Sequence, residues 1–294
     1  MVNHDPWEII INTADTASGQ DQDQRSGRIV PRAPARRFGQ FALLCLALSW
    51  LPWTILGVAG ADIDSGPGFV VFGLAASGPS LAALVLWLCL PGERRPHSRP
   101  SWYGPLAAIF LGAAAPVITA LLLQHGNPGA ITDHLVAVAV GVGGPLGVIG
   151  YTLISGPLSE EFGWRGYLQP RLRQRFGRAR TAVVLGLGWG LWHVPLFLLP
   201  GTGQHQLGLF TIGGASFFLT IIAFSYLIIL ITEDLRGGVW AAVAAHAGFN
   251  AADALMPPHG DLGAVIELVA MIILAGVVGA MCAVRRRRVS DRQR

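Results

Sequence analysis

Glu160 and Glu161 are the one pair of adjacent acids set inside an apolar stretch of this chain, in the run Ser159-Glu160-Glu161-Phe-Gly-Trp-Arg165. On a helix Arg165 lies one turn beyond Glu161, on the same face and within ion-pair reach. Glu160 is rotated about 100° away and is left without a cationic partner. A carboxylate of that kind in a low-dielectric cavity gains the proton affinity that a general base needs, while a paired carboxylate serves as scaffold. The competing reading is a charge cluster that ends a helix at the membrane surface. Two more groups carry similar potential. Of eight histidines, His4, His97, His125, His134, His205 and His259 fall in tails or loops, and His193 and His246 fall within apolar stretches. His246 and Asn250 are one helical turn apart on one face. Single buried histidines are usually packing residues, but a glutamate, two histidines and an amide at matching depths on three helices suit a wet catalytic chamber.

The elements that must position these groups are membrane helices. Hydrophobic residues make up 52% of the 294, charged residues only 13%, and the mean hydropathy is +0.51, which excludes an ordinary soluble domain and a mostly disordered chain. The fold expected is all-α, a polytopic transmembrane bundle of about eight helices at 39–60, 69–90, 103–123, 135–168, 181–199, 208–231, 238–255 and 264–284. All 21 basic residues are arginine, and apart from Arg165, Arg292 and Arg294 they fall in alternate connections: the amino-terminal tail, 94–99, 171–180, Arg236 and 285–288. The intervening loops carry none. The positive-inside rule then makes this a multi-pass protein of the plasma membrane with both termini cytoplasmic. Residues 1–37 read as a disordered cytoplasmic tail rather than a cleaved signal, 38–285 as the membrane domain with its chemistry in 155–255, and 286–294 as a basic tail. Cys45, Cys89 and Cys282 are isolated in apolar runs, so neither disulfides nor a thiolate metal site is expected.

Depth supports a common site. Counting 1.5 Å per residue, His193 lies about 18 Å from Thr181, His246 and Asn250 about 12 and 18 Å from Gly238, and Glu160 about 12 Å from Leu168. With those residues in view, the chain resembles the CPBP intramembrane endopeptidases, the group containing CAAX prenyl proteases and bacteriocin-processing or self-immunity proteins. Glu160-Glu161-x-x-x-Arg165 is similar to the family's E-E-x-x-x-R, Trp189-x-x-x-His193 to its F-x-x-x-H, and His246-x-x-x-Asn250 to its H-x-x-x-[ND]. Trp189 replaces the usual phenylalanine. The resemblance implies that Glu160, assisted by His193, activates a water for attack on a peptide carbonyl. His246 and Asn250 would donate to the oxyanion, with Glu161 and Arg165 as a structural ion pair. It implies a peptide or membrane-protein substrate, prenylated or a leader peptide, met within the lipid bilayer, with no cofactor and no nucleic acid.

Rival chemistries use the same residues. Zinc held by Glu160, His193 and His246 is the nearest, although no H-E-x-x-H run is present. A serine protease built on Ser216 leaves the acids without a role. A non-catalytic transporter or immunity protein, using Glu160 and the histidines as a proton relay or for binding alone, is the alternative from another class.

Overall fold

In a computed structural model of the chain, residues 35–90, 101, 103–124, 127–154 and 156–292 are described. Most of the proposed amino-terminal tail, the arginines at 94–99 and the last two residues of the basic tail lie outside them. The described residues form α1 (Ala35–Ala59), α2 (Gly66–Ala76), α3 (Gly78–Cys89), α4 (Gly104–Leu123), α5 (Pro128–Gly141), α6 (Gly144–Ile154) and α7 (Pro157–Gly163). After a π-helical turn, Trp164–Leu168, come α8 (Gln169–Arg173), α9 (Arg178–His193), the short α10 (Gly203–Leu207), α11 (Ile212–Glu233), α12 (Gly238–Leu255) and α13 (Asp261–Arg292). No strand occurs among the described residues. Prolines 67, 79, 105, 128 and 157 stand in the first turns of their helices, where a missing N–H leaves no bond unmade.

The chain is an all-α polytopic bundle, with a span count that differs from eight. Five helices are long and apolar enough to cross a bilayer, or seven if each of two bent pairs counts as one span. The second expected span is α2 and α3, bent by 53° at Ser77. The fourth, drawn as 135–168, is broken: α5 meets the next helical stretch at 81°. Gly143 and Gly144 allow that corner, both at positive φ (89° and 83°), a region barred to most side chains. The expected seventh span, α12, is helical but less apolar, because His246, Asn250 and Asp253 interrupt it. It lies in the bundle, where protein can satisfy those groups, rather than in lipid.

Small residues bring the site helices together. A Cβ on Gly112 of α4 would stand 1.9 Å from the Ala245 carbonyl oxygen, and one on Gly248 of α12 would stand 2.3 Å from that of Ile109. The two backbones touch, and α12 is held by dispersion contacts along α4. On its other side α12 meets α11, whose residues from Leu227 to Ile231 are fully buried. Beneath the site, Trp53, Trp164, Trp192, Phe41 and Tyr167 form an aromatic core. Ser49 accepts from the Trp192 indole at 2.7 Å and donates to Ala75 O at 2.7 Å, which joins α1, α2 and α9. At one end of the bundle, Glu233 and Asp234 gather Arg173, Arg178 and Arg286 into ion pairs of 2.6–2.9 Å.

Candidate active site

Helix α7 starts immediately after Gly156, whose φ of 149° and lack of a side chain are both required. A Cβ at that position would lie 2.8 Å from Glu160 Oε1, 3.5 Å from Asn250 Nδ2 and 3.5 Å from His246 Cε1. Three side chains from two helices therefore converge on one point. Glu160 sits in the first turn of α7, with its N–H donating to Gly156 O at 2.8 Å. The helix N-terminus favours an ionised acid there. This corrects the sequence expectation of one continuous helix through Glu160, and the break supplies the bare backbone that lets α12 approach.

Glu161, fully buried, is the centre of a charge network. Its Oε1 accepts from Arg165 Nη1 at 2.8 Å and lies 2.8 Å from His246 Nδ1. Arg165 is pinned further by Ser225 Oγ at 3.3 Å and by the face of Trp189, 4.2 Å from the ring centroid. A guanidinium, a carboxylate and an imidazole are thus locked in series across α7 and α12, with α9 and α11 packed on the guanidinium. The π-helical turn after Gly163 widens the helix just where Arg165 turns inward.

Trp189 links the remaining pair. Its indole Nε1 donates to Glu160 Oε2 at 2.6 Å, and its carbonyl lies 2.8 Å from His193 Nδ1. His193 is otherwise enclosed by Trp192 and Phe217, with ring centroids at 4.7 and 5.2 Å. The structure thus brings Glu160, His246 and Asn250 to one point, and joins His193 to Glu160 through Trp189. Glu160 has no ion-pair partner among the described residues, and the neutral Trp189 indole serves it as a donor. Sequence reasoning missed this donor. The signal was available: tryptophan offers an N–H where phenylalanine offers none. Ser225 and Gly156 carried no sequence signal, since their roles exist only across the fold. Ser216 is buried in α11.

The tautomers follow from the partners. Nδ1 of His193 faces a carbonyl and Nδ1 of His246 a carboxylate, so each Nδ1 carries its proton and Nε2 is the basic nitrogen of each ring. Such a set can hold a water between a carboxylate and imidazole nitrogens, with an amide N–H at hand. It can also ligate a metal, because carboxylate- or carbonyl-oriented histidines are the usual metal-bound form.

Fold and site together define a helical membrane protein in which a buried glutamate and histidine meet a half-buried amide. Residues 142–252 match the family of type II CAAX prenyl endopeptidases, Rce1-like, and so include all six residues above. The chain is also 23% identical over 174 residues to CAAX prenyl protease 2 of Methanococcus maripaludis; that alignment takes in 59% of this chain and 64% of the relative, less than two thirds of its length. Both similarities are to CAAX prenyl proteases, and the family match takes in the motif-bearing part of the chain.

Proposed function

We propose that this protein is an intramembrane endopeptidase that cleaves a membrane-associated peptide, prenylated or a leader segment, with a water activated by Glu160. The observation that carries the reading is the convergence of Glu160 Oε1, Asn250 Nδ2 and His246 Cε1 on Gly156. Glu160 takes a proton from water, the oxygen attacks the scissile carbonyl, and the same carboxyl later protonates the departing amine. His193 helps to orient the water through Nε2. Asn250 Nδ2 donates to the oxyanion. For His246 to donate there as well it must be protonated on both nitrogens, with Glu161 balancing the charge, and this is why the adjacent acid and Arg165 belong to the machinery as structure.

The protein is a multi-pass membrane protein, and we place it in the plasma membrane with both termini cytoplasmic, from the alternation of arginine-bearing connections. The site then opens toward the cytoplasmic half of the bilayer. A second reading is favoured by one observation, the two histidines with Nδ1 already engaged: Glu160, His193 and His246 would hold a zinc ion, which would supply Lewis-acid activation of the water. Proteomics of protein termini in cells carrying wild type or Glu160→Gln tests the main reading. New termini are expected with wild type alone, and identical termini in both would overturn it. Loss of wild-type activity to 1,10-phenanthroline, restored by zinc, would select the second.

A further inference from the structure

Acids and an imidazole meet a second time at the opposite end of α12, outside the site described. Asp253 in the last turn of α12, His259 in the loop and Glu267 in the second turn of α13 each present one ligand atom, and the three atoms lie within 4.8 Å of one another. Glu267 is 8% exposed, and its Oε2 is buried without a hydrogen-bond partner. That oxygen lies 3.6 Å from His259 Nε2, outside hydrogen-bond range. Asp253 is exposed at the mouth.

The pocket is shaped for the imidazole. A Cβ on Gly263, one turn before Glu267, would strike His259 at 2.3 Å from Cγ and 2.5 Å from Nδ1, so the ring lies in a notch that glycine alone leaves open. The nearby Asp261 is not part of the group, because its Oδ1 accepts from Gly213 N at 2.9 Å and caps α11. One imidazole cannot neutralise two acids, and a buried carboxylate oxygen without a donor is costly. A cation between the three ligand atoms removes both problems.

We propose that Asp253, His259 and Glu267 bind a divalent transition-metal ion of the zinc class. An imidazole with two carboxylates suits zinc, cobalt or manganese better than calcium or magnesium, which prefer oxygen alone. Zinc binds nitrogen and carboxylate oxygen at about 2.0–2.2 Å, so the three donors close inward by a small side-chain movement that exposed Asp253 can supply. Three protein ligands leave a position for water. The ion ties the end of α12 to the start of α13, two helices that both pack on α4 and α11. Since α12 also carries His246 and Asn250, the ion fixes the outer end of a site helix. The assignment does not depend on the protease reading.

The test uses the full chain in detergent micelles, stripped with EDTA and titrated with zinc chloride by calorimetry, with bound metal counted by mass spectrometry. Wild type is expected to hold one equivalent more than His259→Ala or Glu267→Gln, whose affinity at this site falls by at least about 10- to 100-fold. Zinc should raise the thermal transition of wild type and leave that of His259→Ala unmoved. Cobalt should give visible bands in wild type and lose them in both variants. His259 is in a loop, so its variant keeps the test valid if Glu267→Gln folds poorly. Glu160→Gln must retain the equivalent. Equal zinc binding in wild type and both variants, loss only in Glu160→Gln, or binding of calcium as tight as zinc would overturn the assignment.

Discussion

Two carboxylate–imidazole pairs stand along α12 and its exit loop, and they are built differently. At His246 the acid is completely buried, the contact is 2.8 Å, and a guanidinium on the far side of Glu161 completes the charge balance. At His259 the contact is 3.6 Å, no arginine among the described residues is paired with it, and a second acid faces the same space. The inner pair leaves its nearest acid, Glu160, without an ion pair among the described residues. The outer pair is left incomplete and open to solvent at Asp253. The inner acid has a guanidinium in direct contact, whereas at the outer pair two acids share one imidazole.

The contrast can be broken at several points. Glu160→Gln removes the proposed base and should lower turnover about 10²- to 10⁴-fold with thermal stability nearly unchanged, as measured on a prenylated peptide in proteoliposomes. Arg165→Met strands Glu161 and His246 and should cost about 3–5 kcal/mol, read as a fall in the detergent thermal transition. A loss below about 1 kcal/mol would show that the inner pair does not need its guanidinium. Asn250→Ala should reduce kcat by about 10²- to 10³-fold with little change in KM, the signature of a donor used in the transition state. Trp189→Phe keeps the ring and deletes the bond to Glu160; hydrogen bonds to charged groups contribute about 1.5–3 kcal/mol, so about a 10- to 100-fold loss in kcat/KM is expected. Activity equal to wild type would reduce Trp189 to an aromatic wall. Smallest of all, His259→Ala in metal-free protein should change stability by about 1 kcal/mol or less.

Much of the site was legible in one dimension. Helical periodicity alone put Arg165 one turn from Glu161 and Asn250 one turn from His246, because neighbours on a helix are set by 3.6 residues per turn. The bond between Glu161 and His246 was not legible. It joins residues 85 apart in the chain, and the register of α7 against α12 depends on the glycine contacts with α4. The fourth span was misread for a related reason. Its apolar content is continuous from 135 onward, and hydropathy does not register the corner at Gly143 and Gly144, which is a matter of backbone torsion. For Trp189 the chain shows the residue type but not which way the indole N–H points.

The amino-acid sequence by itself determined that this protein is helical and lives in a bilayer, and which few polar side chains lie within its apolar stretches, since composition and local period follow from covalent order alone. Tertiary structure decided which of those side chains meet. Close helix packing and a bare glycine backbone set distances to a fraction of an ångström, and hydrogen bonds and ion pairs depend on distances that no local rule can supply.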